Sequence, residues 1–106
     1  MKTSELKDAA LDWAVGTALK LPEPYFERGL YCVQFSRQWA HGGPIIEREG
    51  IDVFHTERAG PVWEAEIQTA PMKRIFARGP TPLIAAMRCF VASKLGDEVD
   101  VPEELK

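Results

Sequence analysis

Apolar residues recur at helical spacing near the start of the chain. Leu6, Ala9, Ala10, Trp13, Ala14 and Thr17 form a stripe, while Lys7, Asp8, Asp12 and Lys20 fall largely off it, which predicts a helix over residues 4–20. Thr3 or Ser4 is the expected N-cap, and Pro22 and Pro24 end the helix near Leu21. Leu30–Phe35 reads as a strand with two mostly apolar faces, as a strand covered on both sides would have. From Ser36 to Gly50 the spacing of Trp39, the Gly42–Gly43 pair and Ile46 favours a helix over roughly 37–49. Ser36 would cap it, Gly50 would end it, and it would kink or restart at Pro44.

Alternation then shortens to a period of two. Ile51, Val53 and His55 alternate with Asp52, Phe54 and Thr56; after a turn at 57–61, Trp63, Ala65 and Ile67 alternate with Glu64, Glu66 and Gln68. Thr69-Ala70-Pro71 turns the chain into a shorter, more basic strand from Met72 to Ala77, expected at a sheet edge. The last helix, 82–95, has the clearest punctuation: Thr81 as cap, Pro82 in its first turn and Gly96 as its stop.

The resulting order, α-β-α-β-β-β-α, predicts an α+β fold with one mainly antiparallel sheet of about four strands packed with helices. The first two strands would be joined by a helical crossover and so run parallel. With a loop at 37–49 the order becomes α-β-β-β-β-α, similar in element order alone to double-stranded-RNA-binding domains, which is weak ground for function.

A chain of 106 residues holds one domain, 1–106, with an acidic and extended tail over 97–106. No apolar block marks a secretory signal and no run is long enough to cross a membrane, so a cytoplasmic protein with free thiols at Cys32 and Cys89 is expected. A net charge of −3 gives no general attraction to nucleic acid or anionic lipid. The distribution is uneven. Ile67–Gly96 has no acidic residue and carries Lys73, Arg74, Arg78, Arg88 and Lys94, whereas the tail from Asp97 onward is strongly acidic and is the expected neutralising partner.

The helix over 82–95 is apolar almost all round: Leu83, Ile84, Met87, Cys89, Phe90, Val91 and Leu95 surround the cylinder. A homodimer contact through this helix is the expected cover, with the N-terminal helix and acidic tail as the alternative within one chain. Arg88 sits inside that apolar surround and requires a partner carboxylate, with Asp97, Glu98 and Asp100 as candidates, or an escape to water.

Candidate chemistry is sparse. Cys32, His41, His55 and Cys89 show no metal-ligand spacing, so neither metal nor cofactor is expected. Cys32 and Cys89 read as core residues, and His41 with Glu47 and Glu49 is an unremarkable acid–base grouping. The run Arg37–Pro44 gathers a guanidinium, the Trp39 ring, the His41 imidazole and two glycines, a composition suited to ligand contact or to close packing. Candidate binding residues are therefore Arg37, Trp39, His41, Lys73, Arg74, Arg78 and Arg88, with no catalytic set.

Three stretches carry a resemblance: Trp39–Ile51 (WAHGGPIIEREGI), Gly79–Arg88 (GPTPLIAAMR) continuing through Lys94–Asp97 (KLGD), and an N-terminal block of Glu5-Leu6 with Asp12-Trp13-Ala14-Val15. Together they span about half the chain and resemble the NinX-like family of small tailed-phage and prophage proteins. Family-like sequences often carry a longer Ser/Thr/Asp turn before the tryptophan, where this chain has only Ser36-Arg37-Gln38. The resemblance implies synthesis inside a bacterial cell and carries over no activity. The expected role is a non-enzymatic accessory protein binding a phage or host macromolecule. Nucleic-acid binding through the basic stripe, or a small enzyme with a site near His41, are the alternatives.

Overall fold

A computed structural model of the chain describes residues 1–20, 34–57 and 62–103. A 3-10 turn at Thr3–Glu5 leads into helix α1, Asp8–Ala18; helix α2, Trp39–Glu49, is followed by strands β1, Asp52–Thr56, β2, Val62–Ala70, and β3, Lys73–Gly79; helix α3 is Pro82–Leu95. The strands form one antiparallel sheet in the order β1-β2-β3.

The fold is mixed α and β, as expected, but its sheet has three strands among the described residues rather than about four. Most of the expected strand at 30–35 lies outside the described residues. Its last two positions, Gln34 and Phe35, are not in a strand: Phe35–Arg37 form a turn that feeds α2. Residues 39–49 are one continuous helix with Pro44 inside it, which removes the alternative with a loop there. Gly50 ends that helix in a left-handed conformation, φ +65°, a backbone geometry that favours glycine.

Capping differs from expectation at two helices. Thr3 and Ser4 precede α1 as part of the separate 3-10 turn, and the Thr3 hydroxyl donates to the Gly96 carbonyl at 2.6 Å. Ser36 does not cap α2 but is buried against Asp12. Helix α3 matches in full: the Thr81 hydroxyl accepts from the Ile84 amide at 3.1 Å, Pro82 opens the helix and Gly96 follows it.

Helix α3 is the centre of the packing. It lies against β3 and β2 most extensively, then α1, α2, β1 and the 3-10 turn. Leu83, Ala85, Ala86, Met87, Cys89, Phe90 and Val91 are all buried in this single chain. Most of the apolar surface that suggested a homodimer through 82–95 is therefore covered within the chain, by the sheet and both other helices, while Ile84 and Leu95 stay half-buried. Part of the cover is the tail. Val99 and Val101 are buried, and residues 96–99 pair with the start of the chain through Thr3 N–H to Asp97 O and Val99 N–H to Met1 O.

Alternation sets the two faces of the sheet. Val53, Ala65 and Ala77 face one another across the strands, as do Ile67 and Ile75, and these residues pack with the core under α3. The opposite face carries two cross-strand rows, Phe54–Glu64–Arg78 and Asp52–Glu66–Phe76, with Gln68 opposite Arg74. Strand β2 runs on through Thr69 and Ala70 with a register shift near Gln68, so the turn comes at Pro71–Met72, later than its composition suggests.

Gly42 is the point of closest approach between α2 and its surroundings. A β-carbon there would lie 2.3 Å from the Phe35 carbonyl oxygen and 2.6 Å from Leu83 Cδ1. Gly42→Ala is expected to lower stability by about 1–3 kcal/mol through forced displacement of the 35–37 turn. Thr81→Ala, which removes one cap, should cost about 1 kcal/mol. Urea denaturation of the two variants checks both the order and the size.

Candidate functional site

The candidate residues fall into three places. Arg37, Trp39 and His41 lie where the 34–38 turn enters α2. The turn is pinned by Asp12 of α1, whose Oδ1 accepts from the Ser36 amide at 2.8 Å and the Ser36 hydroxyl at 2.7 Å, and whose Oδ2 accepts from Arg37 at 2.9 Å. Asp12 is only 4% exposed, although its position in the sequence lies off the apolar stripe. The inward face is rotated from that stripe: Ala10 and Ala14 of the stripe are buried together with Leu11 and Val15, while Trp13 and Thr17 are half-buried. With three hydrogen bonds and a cation beside it, the buried carboxylate is satisfied.

This arrangement spends Arg37 on structure and leaves Trp39 available. Trp39 is 56% exposed and, with Arg37, Thr81, Pro82 and Ile84, lines a cleft of about 270 Å³ between α2 and the start of α3. His41 is not among its lining residues; its Nδ1 accepts from the Gln34 amide at 2.9 Å. Glu49 pairs with Arg48 at 2.9 Å and Lys94 at 3.6 Å. His41, Glu47 and Glu49 are therefore not assembled into an acid–base group by any contact among the described residues.

Lys73, Arg74 and Arg78 lie on β3. Arg78 pairs with Glu64 at 2.8 Å, its direct cross-strand neighbour, and Arg74 pairs with Glu66 on the diagonal. Two cations of the basic stripe, Arg74 and Arg78, are thus paired by the glutamates of β2. The same face exposes two phenylalanines that are not among the sequence candidates, Phe54 at 40% and Phe76 at 61%. Their signal was present in the period of two, which sets Phe54 beside Asp52 and Thr56 on the wet side of β1.

Arg88 reaches from α3 to the edge of the sheet. Its Nε donates to the Leu6 carbonyl at 2.7 Å and its Nη1 to the Arg78 carbonyl at 2.9 Å, in place of the carboxylates expected from Asp97, Glu98 or Asp100. Burial pushes its pKa down from the usual arginine value. Beside it, Ser4, Glu64, Phe76, Ala77 and Arg78 complete an open cleft of about 570 Å³.

Cys89 is buried and donates its S–H to the Ile75 carbonyl at 3.3 Å. Burial, reinforced by the negative charge of Glu66, pushes the thiol up to about 12, so it is protonated at neutral pH and is a core residue, not a nucleophile. Cys32 lies outside the described residues. No group of three or more His, Cys, Asp and Glu side chains among the described residues is placed to hold a metal ion.

Loss of the Asp12 carboxylate strands a buried amide. Asp12→Ala should cost about 2–4 kcal/mol, and Ser36→Ala, which leaves the amide bond to Asp12 in place, about 1 kcal/mol. Thermal and chemical unfolding of the two variants side by side measures the difference.

The three stretches that carry the family resemblance meet in space: Asp12 holds the turn before Trp39, and Gly42 packs on Leu83. A family model described as Bacteriophage P22, NinX, matches residues 2–94. No curated protein sequence matches the chain. Because the matched stretch takes in nearly all the elements described above, the chain belongs to the NinX family of phage proteins.

Proposed function

We propose that this NinX-family protein is a non-enzymatic accessory protein that works inside the bacterial cell and docks a phage or host protein on the outer face of its sheet. The observation that carries this reading is the exposure of Phe54 and Phe76 on one face, among charged residues already paired with one another. A single exposed aromatic is ordinary. Two on one sheet face, within a polar surround, have the make-up of a protein-binding surface. No helix among the described residues is long and apolar enough to cross a membrane.

Charge favours a protein over a nucleic acid. Arg74, Arg78 and Lys94 each hold a glutamate, and Asp52, Glu64 and Glu66 share the face with the two arginines, so a phosphate backbone would meet as much repulsion as attraction. An enzyme acting through His41 or Cys89 draws little support from a histidine whose Nδ1 is already engaged and a thiol held protonated.

Immobilised wild-type protein is compared with a Phe54→Ser/Phe76→Ser variant of unchanged circular dichroism, using extracts of prophage-bearing bacteria. The double variant is expected to retain its protein partner at least about tenfold more weakly, the effect of losing two aromatic anchors. Equal retention would overturn the reading. So would salt-sensitive retardation of DNA or RNA by the wild type with no protein retained.

A further inference from the structure

Arg37, Arg48, Arg74, Arg78 and Lys94 each hold a carboxylate, whereas Arg88 holds none among the described residues. Its guanidinium is partly withdrawn from water, and its known partners are two neutral carbonyls, of Leu6 and Arg78. Carbonyl dipoles satisfy N–H groups but do not cancel a full charge, so a desolvated cation held this way has an electrostatic gain still to be made from an anion. The two bonds also fix the guanidinium plane. Two of its N–H groups go to the carbonyls, and the others are left for an incoming acceptor.

The cleft beside it has the size for such a group. Its volume of about 570 Å³ lies within the range of small-ligand and side-chain sites. Among the described residues, three charged side chains line it. Glu64 and Arg78 neutralise each other at 2.8 Å, so the net charge offered to a ligand is the single positive charge of Arg88. A monoanion matches that charge. Phe76, more than half exposed on the cleft wall, offers an apolar surface next to the charge, and Ser4 adds a hydroxyl.

We propose that this cleft, at the β3 edge, receives one carboxylate of the partner protein, from an acidic residue flanked by apolar side chains. Arg88 and Ser4 bind the carboxylate, and a neighbouring apolar side chain packs on Phe76. The proposal rests on the reading that the outer sheet face docks a protein, and it names the chemistry of the residue that enters. A nucleic-acid strand fits less well. Its first phosphate would meet Arg88, but the following ones would run over a face carrying Asp52, Glu64 and Glu66 on a chain of net charge −3.

The test uses the full ¹⁵N-labelled chain and three probes: the capped peptide acetyl-Leu-Asp-Leu-amide, its neutral counterpart acetyl-Leu-Asn-Leu-amide, and a short oligothymidylate. The aspartate peptide should shift the amide resonances of Ser4, Ala77 and Arg78 and the Nε–H resonance of Arg88, and the asparagine peptide should bind about tenfold more weakly. Phe76→Ser and Ser4→Ala, both at exposed positions, should each weaken the aspartate peptide several-fold. They keep the test open should Arg88→Gln fail to fold. Equal binding of the two peptides, or shifts confined to residues away from the cleft, would overturn the proposal, as would an oligothymidylate that shifts the same resonances at lower concentration. Should the peptides behave alike while the double phenylalanine variant still releases its protein, the carboxylate assignment falls and the docking face stands.

Discussion

The fold depends on hiding most of one helix from water. Helix α3 has almost no polar face to turn outward, and a helix of that kind is stable only as the centre of something. The sheet takes one flank, and α1, α2 and the 3-10 turn take the others. Each neighbour is then constrained by its distance from the central cylinder. Alanines at 85 and 86 are fully buried within it, and Gly42 lets the start of α2 come within contact of Leu83. Polar groups that reach the helix must do so at its margins, as Arg88 does on the way to the sheet edge and Lys94 does at the last turn.

Because α3 uses up one face of the sheet and both helix layers, the other sheet face has nothing from the described chain laid across it. That face is therefore where the surface chemistry collects. Its charges are arranged in opposite-sign neighbours across β2 and β3, each such exposed pair contributing at most about 1 kcal/mol to stability. Their larger effect is on surface potential: they offset Arg74 and Arg78, which would otherwise attract polyanions, and they leave the aromatic rings as the distinctive feature. Arg88 stands apart from this cancellation because its contacts are to backbone oxygens.

Much of the architecture was legible in local pattern. The meander, the last helix and its cap, and the glycine stop after Glu49 all follow from short-range rules of periodicity and termination, and they appear where those rules put them. What local pattern could not carry was tertiary choice. The apolar run 82–95 shows that cover is needed but not what supplies it, and within one chain the sheet, two further helices and the valines of the tail supply most of it. Helix α1 is rich in small residues on several sides, so its stripe was ambiguous, and Asp12 turned inward because Ser36 and Arg37 were there to meet it. Likewise, Lys73, Arg74 and Arg78 look like a basic stripe only until strand register places glutamates beside two of them.

The pairing of residues 1–3 with residues 96–99 sets an order of assembly. The bond from the Thr3 hydroxyl to the Gly96 carbonyl closes a separation of 93 residues, and the Arg88 side chain ties the Leu6 carbonyl to β3 over a similar span. Residues 1–3 thus find their native partners only once residues 96–99 are available to meet them. A long closure of this kind is slow relative to local helix or hairpin formation. The meander, by contrast, pairs strands that are neighbours in sequence and needs no closure of that length.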